Sequence, residues 1–315
     1  MFKNALVYRI VHWDRPGLAA LDQRLHESGF VECGATQREA AGWIAPRGER
    51  HGALVEAVAG HWILRHCSET KGVPAGVVKT LIDERLAAIE QQTGRRPKGK
   101  AVRELKEQLV HELLPRAFAK RATTWVWLAP GASWLVVGTA SAKRADAIVT
   151  ALMQVLGGDI RIAPVQTALS PASAMAAWLL EQQAPRGFAI DRDCELKQPS
   201  AEKASVRYAR HALEIAEVAA HVRAGKLPTQ LALTWASRVS FVLTEALALK
   251  RIAVLDVVVK GTGADEGGFD ADVAIATGEL GQLIADLIDA LGGELDLDAA
   301  GAAQSIATPR EPLAA

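Results

Sequence analysis

The apolar residues of this chain change their spacing twice, and this limits the folds the chain can adopt. Residues 4–12, NALVYRIVH, alternate in the two-residue period of a strand. After Pro74, apolar residues such as Val78 and Leu86 recur at helical spacing. Strand-like sequence returns at 123–130, TTWVWLAP. Because helical sequence lies between strands, we predict an α+β protein built on sheet domains.

The helical segment, residues 76–121, predicts a helical hairpin that projects from the sheet domain. Gly94 is placed to end a first helix, and the basic stretch RRPKGK at 95–100 follows it as a turn. A second helix then carries Leu105 and Leu109 on one stripe.

The first 75 residues predict a strand, a helix and two more strands. The helix is expected at 17–29 and a hairpin turn at Ala59-Gly60. We expect four parts: an N-terminal α+β domain (1–75 and 122–165), an inserted helical finger (76–121), a C-terminal α+β domain (166–300) and a disordered tail (301–315).

The C-terminal half predicts a long connection followed by strands and helices. Residues 164–205 contain four prolines and suggest a connection with one short helix around 175–180. We expect strands at 205–208, 230–235, 237–244, 251–259 and 270–277, and an acidic glycine-rich loop before the last of them. Helices are expected near 214–224 and through 280–293.

Several classes of protein lack support in the sequence. No apolar run is long enough to cross a bilayer, and the N-terminus does not resemble a secretion signal, so we expect a cytoplasmic protein without membrane contact. Three dispersed cysteines favour neither disulfides nor a zinc site. Phosphate-loop, serine-hydrolase, zinc-protease and dinucleotide motifs are absent. We therefore predict no catalytic residue, no metal and no cofactor.

Charge is unevenly distributed in a chain whose formal net charge is zero. Residues 95–121 contain nine Lys or Arg against three Glu, and residues 260–298 contain ten Asp or Glu against one Lys. One interpretation is a polyanion site kept apart from a surface that repels polyanions. The other is two ordinary solvated faces.

The basic segment fits nucleic-acid binding that reads no bases, because Lys and Arg neutralise phosphates and release counterions. Lys143 and Arg144, in the first turn of a predicted helix, have the wrong charge for the helix dipole and hint at an anionic partner. The candidate DNA-binding residues are Lys98, Lys100, Arg103, Arg116, Lys120, Arg121, Lys143, Arg144, Arg207 and Arg210.

Phe118 lies between the cations of a predicted loop and has three interpretations. It could anchor that loop in the core, stack on a base, or dock on a partner subunit.

Two other functions stay open. A nuclease would need clustered carboxylates to hold a metal, and the dense candidates are Asp265, Glu266, Asp270 and Asp272. A dimeric scaffold could instead bind an acidic protein through its basic segment.

Motifs along nearly the whole chain resemble the RdgC family of recombination-associated proteins. In order, these are NALVYRI, GWIAP, VPAGVVK, HELLPRAF, LVVGTASAKRAD, CELK and LALTW followed by SFVLT and LKRI. HELLPRAF and the last block are the most specific.

This resemblance implies a protein that is not an enzyme. It implies a homodimeric ring that encircles double-stranded DNA with little sequence preference, lies in the nucleoid and antagonises the RecA recombinase. Phe118 would lie where two subunits meet at the gate of the ring, with Arg116, Lys120 and Arg121 close to the DNA path.

Overall fold

The protein has a mixed α/β fold with one large antiparallel sheet. The computed structural model describes residues 1–49, 51–199, 204–261 and 268–295. The strands are β1 Asn4–Trp13, β2 Glu39–Ile44, β3 Val55–Val58, β4 His61–Lys71, β5 Ala119–Ala129, β6 Trp134–Val137, β7 Ile160–Pro164, β8 Phe188–Lys197, β9 Ser205–Tyr208, β10 Leu227–Trp235, β11 Val239–Thr244 and β12 Leu249–Val254. The helices are α1 Leu18–Glu27, α2 Ala75–Thr93, α3 Lys100–Leu113, α4 Ala142–Leu156, α5 Pro171–Glu181, α6 Ala216–Arg223, α7 Asp256–Gly261 and α8 Phe269–Ala290.

The sheet runs without a break from the N-terminal to the C-terminal half of the chain. Among the described residues its main path is β2-β4-β5-β6-β1-β12-β11-β10-β8-β9, with β3 paired to β4 and β7 paired to β1. Strand β1 joins the two halves, because it pairs with β6 on one side and places Asn4 opposite Lys250 of β12 on the other. The two predicted α+β domains therefore share one sheet, although the division into four parts itself stays a prediction.

Two cores cover opposite faces of this sheet. Apolar side chains of α5, α6 and α8 pack on one face, in a cluster that includes Ala5 and Trp127. Helices α1 and α4 pack on the other face, in a cluster that includes Tyr8 and Ile10. The alternation predicted for residues 4–12 is thus confirmed, since Ala5 points to one core and Tyr8 and Ile10 to the other.

Helices α2 and α3, called the helix pair below, have a small core of their own. Its buried members are Val78, Ile82, Leu86 and Leu109. Gly94 ends α2 in the left-handed conformation with φ 67°, as predicted, and its N–H donates to the carbonyl of Glu90 at 2.8 Å. Helices thus occur at both predicted positions, whereas a hairpin that projects from the sheet stays a prediction.

The hairpin turn predicted at Ala59-Gly60 is also confirmed. The hairpin turn between β3 and β4 has positive φ at both Ala59 and Gly60, as a tight hairpin requires. The side chain of Ser141 caps α4 by accepting from the N–H of Arg144, and the helix ends at Gly157. His61 and His66 lie on opposite sides of the sheet, against Trp127 and Trp43 respectively.

The prediction fails at three places in the C-terminal half. The supposed connection 164–205 contains β8, whose buried Cys194 and Leu196 alternate with charged residues. Residues 256–259 begin α7 instead of continuing a strand, because Asp256 starts a helix. Residues 270–277 lie in α8, where the buried Val273, Ala276 and Leu280 follow the helical period rather than strand alternation.

The loop predicted around Lys120 and Arg121 is also wrong. Strand β5 begins at Ala119, so both residues pair with β4, opposite Thr70 and Glu69. Asp270 and Asp272 lie in the first turn of α8, where acidic side chains favour the helix dipole. Asp265 and Glu266, with the tail 301–315, lie outside the described residues.

No helix within the described ranges is long and apolar enough to cross a membrane.

Candidate nucleic-acid interface

The turn that joins α2 to α3 and the first turn of α3 carry the first group of predicted cations. Lys98 and Arg103 are exposed, and neither has an acidic partner within the described part of the chain. The ammonium of Lys100 lies 3.6 Å from a carboxylate oxygen of Glu104, one helical turn away. Since exposed pairs of this kind are weak, all three cations are accessible to an external anion.

The second group lies where the helix pair returns to the sheet. Pro115 ends α3 in a 3₁₀ turn, Leu114–Arg116, which the buried Leu114 anchors. Arg116 and Lys120 are exposed and have no acidic partner among the described residues. Because α3 has 14 residues, this group is about 21 Å from the first one along the helix axis.

Phe118 lies between Arg116 and Lys120 with 96% of its surface exposed. The core-anchor interpretation is therefore wrong for this chain. The stacking and docking interpretations remain, since both need an accessible ring. Phe118 is at the sheet end of the helix pair, not in the turn at the other end.

Arg121 differs from its neighbour Lys120 because successive side chains on a strand point to opposite faces. Its guanidinium lies 2.5 Å from a carboxylate oxygen of Glu69 and 2.5 Å from one of Glu32. The Glu69 side chain is 2% exposed, and the bond from Arg121, with one from the N–H of Cys33, lowers its pKa. The same carboxylates raise the pKa of Arg121. The charge of Arg121 is thus already neutralised within the protein.

Lys143 and Arg144 are exposed in the first turn of α4. This helix follows β6, which runs antiparallel to β5 and so ends on the side where β5 begins. The two cations therefore follow a strand end that points toward the helix pair, but Val137, the last residue of β6, pairs with Val126, seven residues from the start of β5. Free N–H groups of the helix add positive potential there.

Arg207 and Arg210 lie at the other edge of the sheet. Strand β9 is seven strands from β5 in the sheet order, a separation of about 34 Å at the usual strand spacing. Acidic groups surround them: Arg207 is opposite Glu195, and the N–H of Arg210 donates to the carboxylate of Asp193 at 2.8 Å. Within one chain, the structure does not bring this pair together with the other predicted cations.

Two basic residues near the sheet junction were not among the predicted contacts. Lys250 pairs across the sheet with Asn4, and the guanidinium of Arg251 lies 3.0 Å from the carboxylate of Asp193. The adjacent Lys and Arg within LKRI could have indicated these two cations. The sequence does not show that Asp193 partly neutralises Arg251.

One of the carboxylates considered above as metal ligands is paired with a cation. The carboxylate of Asp270, a candidate metal ligand, lies 2.6 Å from the guanidinium of Arg47. In the ranges the structure describes, no three His, Cys, Asp or Glu side chains are grouped to hold a metal ion. A cavity of about 420 Å³ between α5 and β8 has Asp191 and Glu214 among its lining residues.

Comparison with known proteins gives one consistent result. The family model described as "Putative exonuclease, RdgC" matches residues 1–294. A "Recombination-associated protein RdgC" from Dechloromonas aromatica is 43% identical over 302 residues, covering 93% of this chain and 98% of the relative. Relatives with the same description from Herminiimonas arsenicoxydans and a Janthinobacterium species are 40% and 38% identical, over 93% and 94% of this chain and 98% and 99% of their own.

Proposed function

This chain belongs to the RdgC family of recombination-associated proteins, and from that premise we propose that it binds double-stranded DNA without sequence preference. In this proposal two copies form a ring around the duplex, within the nucleoid. The ring limits RecA-mediated recombination because it occupies the duplex that a recombinase filament must reach. No bond is made or broken.

One observation carries the proposal: an almost fully exposed Phe118 lies between two exposed cations, Arg116 and Lys120. Exposure of an apolar aromatic side chain to water costs free energy unless a partner covers it. This supports a contact between two copies at Phe118. Cations beside such a contact would face phosphates as soon as the ring closes around DNA.

The proposed phosphate contacts follow the accessible cations. They are Lys98, Lys100, Arg103, Arg116, Lys120, Lys143 and Arg144, with Arg207 and Arg210 from the other edge of the sheet. A ring surrounds its ligand, so contacts from both edges are compatible with one duplex. Arg121 is left out of this set because two carboxylates already hold it.

A salt titration tests this function. We expect the affinity for a mixed-sequence duplex to fall between about 50 and 200 mM salt, with a log–log slope of about −5 to −9 for six to ten contacts. Lys120→Gln should make the slope shallower by about 1.8, since one phosphate contact is lost from each of the two copies. Arg223→Gln, at an exposed cation of α6 outside the proposed set, is the matched control. A flat response of the unaltered protein to salt would contradict the proposal.

The family description also favours a second function, that of an exonuclease. Such an enzyme would need carboxylates placed around a metal ion, and Asp191 with Glu214 in the cavity beside α5 offer two. Incubation of end-labelled linear duplex with magnesium decides between the functions. Nucleotides released from the ends, and lost in Asp191→Asn, would establish the enzyme, whereas intact duplex would leave occupancy as the mechanism.

A further inference from the structure

The chain joins the helix pair to the sheet at the neighbouring ends of two paired strands. The residues of its core, buried and partly buried, lie between Val73 and Leu113 and are separate from the two cores of the sheet. The chain enters the pair from β4 and leaves it into β5. The last cross-strand partners before this junction are Lys71 and Ala119. The orientation of the helix pair therefore depends on what holds these two strand ends.

Arg121 is two positions inside that junction. Its guanidinium bridges Glu69 on the neighbouring strand β4 and Glu32, in the segment between α1 and β2. The second carboxylate oxygen of Glu69 accepts from the N–H of Cys33 at 2.8 Å. The buried carboxylate of Glu69 on β4 thus binds both strand β5, through Arg121, and the segment between α1 and β2, through Cys33.

Other contacts hold the same segment across the strand ends. The ammonium of Lys71 donates to the carbonyl of Gly34 at 2.9 Å and to that of Cys33 at 3.3 Å. The guanidinium carbon of Arg121 lies 5.4 Å from the centre of the Phe30 ring. We call residues 30–34, with Glu69, Lys71 and Arg121, the base clamp.

The far side of the base clamp is fixed to the edge of the sheet. The N–H of Phe30 donates to the carbonyl of Trp43 at 2.9 Å. A side chain at Gly42 would come within 2.6 Å of the backbone of Phe30, so the segment fits closely over β2. The base clamp therefore connects the attachment point of the helix pair to strand β2.

We propose that the base clamp sets the orientation of the helix pair relative to the sheet and that Arg121 is a positioning residue rather than a phosphate ligand. This inference rests on the proposed function, because orientation matters only if the helix pair contacts DNA. It explains how a cation inside a basic segment can serve DNA binding without touching DNA. The Nε–H of Arg121 is committed to Glu69, and a phosphate that took this N–H would leave a buried carboxylate without its charge partner.

The double variant Glu69→Gln/Arg121→Gln tests the base clamp, because it removes both charges together and leaves the net charge unchanged. The orientation is measured as the distance between spin labels at Gln92→Cys on α2 and Gln154→Cys on α4, in a Cys33→Ser background. Cys67 and Cys194 are buried and should not react with the label. The matched control is Arg85→Gln/Glu112→Gln, which removes an equivalent pair 2.5 Å apart inside the helix pair.

We expect the distance distribution to broaden in the base-clamp variant and to stay narrow in the control. The base-clamp variant should release duplex DNA severalfold faster, with the salt slope of the unaltered protein, whereas Lys120→Gln should reduce that slope by about 1.8, because both copies lose a contact. A narrow distribution with unchanged release would overturn the inference. A slope reduced as in Lys120→Gln would also overturn it, since Arg121 would then be a phosphate ligand.

The two proposals fail in different ways. If the unaltered protein binds duplex without salt dependence, the proposed function fails, and the label distances still report whether the base clamp orients the helix pair. If binding is salt-dependent but the distances do not change, only the base clamp fails. A single variant, Glu32→Gln, adds a milder test at the exposed end of the cluster and should broaden the distances less.

Discussion

Lys120 and Arg121 are adjacent on β5, but only one of them offers its charge to a ligand. Both side chains are exposed, but Arg121 points to the opposite face from Lys120 and meets two carboxylates. The number of Lys and Arg residues in a segment is therefore an upper limit on the positive charge available to a ligand. Counting phosphate contacts requires the partner of each cation, which strand alternation decides here.

His66 gives the stability of this protein a pH dependence. It is a buried histidine packed edge-on against Trp43 at 5.1 Å, and burial lowers its pKa to about 4. Between this value and the unfolded value of about 6.5, the unfolded chain binds the proton more readily. Stability should therefore fall as the pH falls through this window, by up to about 3 kcal/mol from this residue.

Chemical denaturation at a series of pH values measures this effect. We expect the unfolding free energy to decline between about pH 6.5 and 4.5. The decline should be shallower in His66→Gln, whose side chain is neutral throughout. His61, whose pKa burial also lowers, accounts for part of the remaining slope. Equal slopes in both proteins would show that His66 does not titrate on unfolding.

The helix pair is an element that packs mainly on itself. Leu109 is 2% exposed in its small core, so Leu109→Ala should cost about 2 to 5 kcal/mol. Because this core is separate from those of the sheet, the loss should be local. Hydrogen exchange should become faster in α2 and α3 and stay unchanged in β4 and β5.

The control for this experiment is Val77→Ala on α2, where the side chain is 47% exposed and outside the core. Exchange in the helix pair should stay slow in this variant. Faster exchange in β5 after Leu109→Ala would show that the helix pair and the sheet unfold together, contrary to our expectation.

The accuracy of the sequence-based prediction differs among elements for physical reasons. Helix α2 was predictable because Pro74 and Gly94 mark its ends and its apolar stripe is regular. Helix α8 was mistaken for a strand at its start, because DADVAIAT alternates by chance while burial follows the helical period. Strand β8 was missed because its open face carries Asp191, Asp193 and Glu195, which resemble a loop.

The candidate site was predictable as a set of cations but not as an arrangement. The sequence indicated the basic segment and the aromatic residue within it. It could not show that Phe118 is exposed, because an aromatic residue in that pattern is also consistent with a core position. It also could not show that Glu32, far away in the chain, neutralises Arg121.

At the scale of the whole molecule, the continuous sheet joins the halves that composition suggested to be separate. Its larger core combines Phe2 and Ala5 from the first strand region with Leu231 and Phe241 from the C-terminal half. The ion pair between Arg9 and Glu294 adds a contact between the two ends of the described chain. Such a frame can hold cations at both edges in fixed positions, as a protein that surrounds its ligand requires.

Encirclement predicts a dependence on DNA topology that ordinary surface binding does not. A ring can slide off the ends of linear duplex but stays on a closed circle until it opens. After a high-salt wash, we expect more unaltered protein on circular than on linear duplex of equal length. Phe118→Ala should abolish this difference, since the proposed contact between copies is lost. The melting temperature should stay unchanged, because the side chain of Phe118 is 96% exposed within one chain. Equal retention of the unaltered protein on both DNA forms would exclude a closed ring, even if binding itself depends on salt.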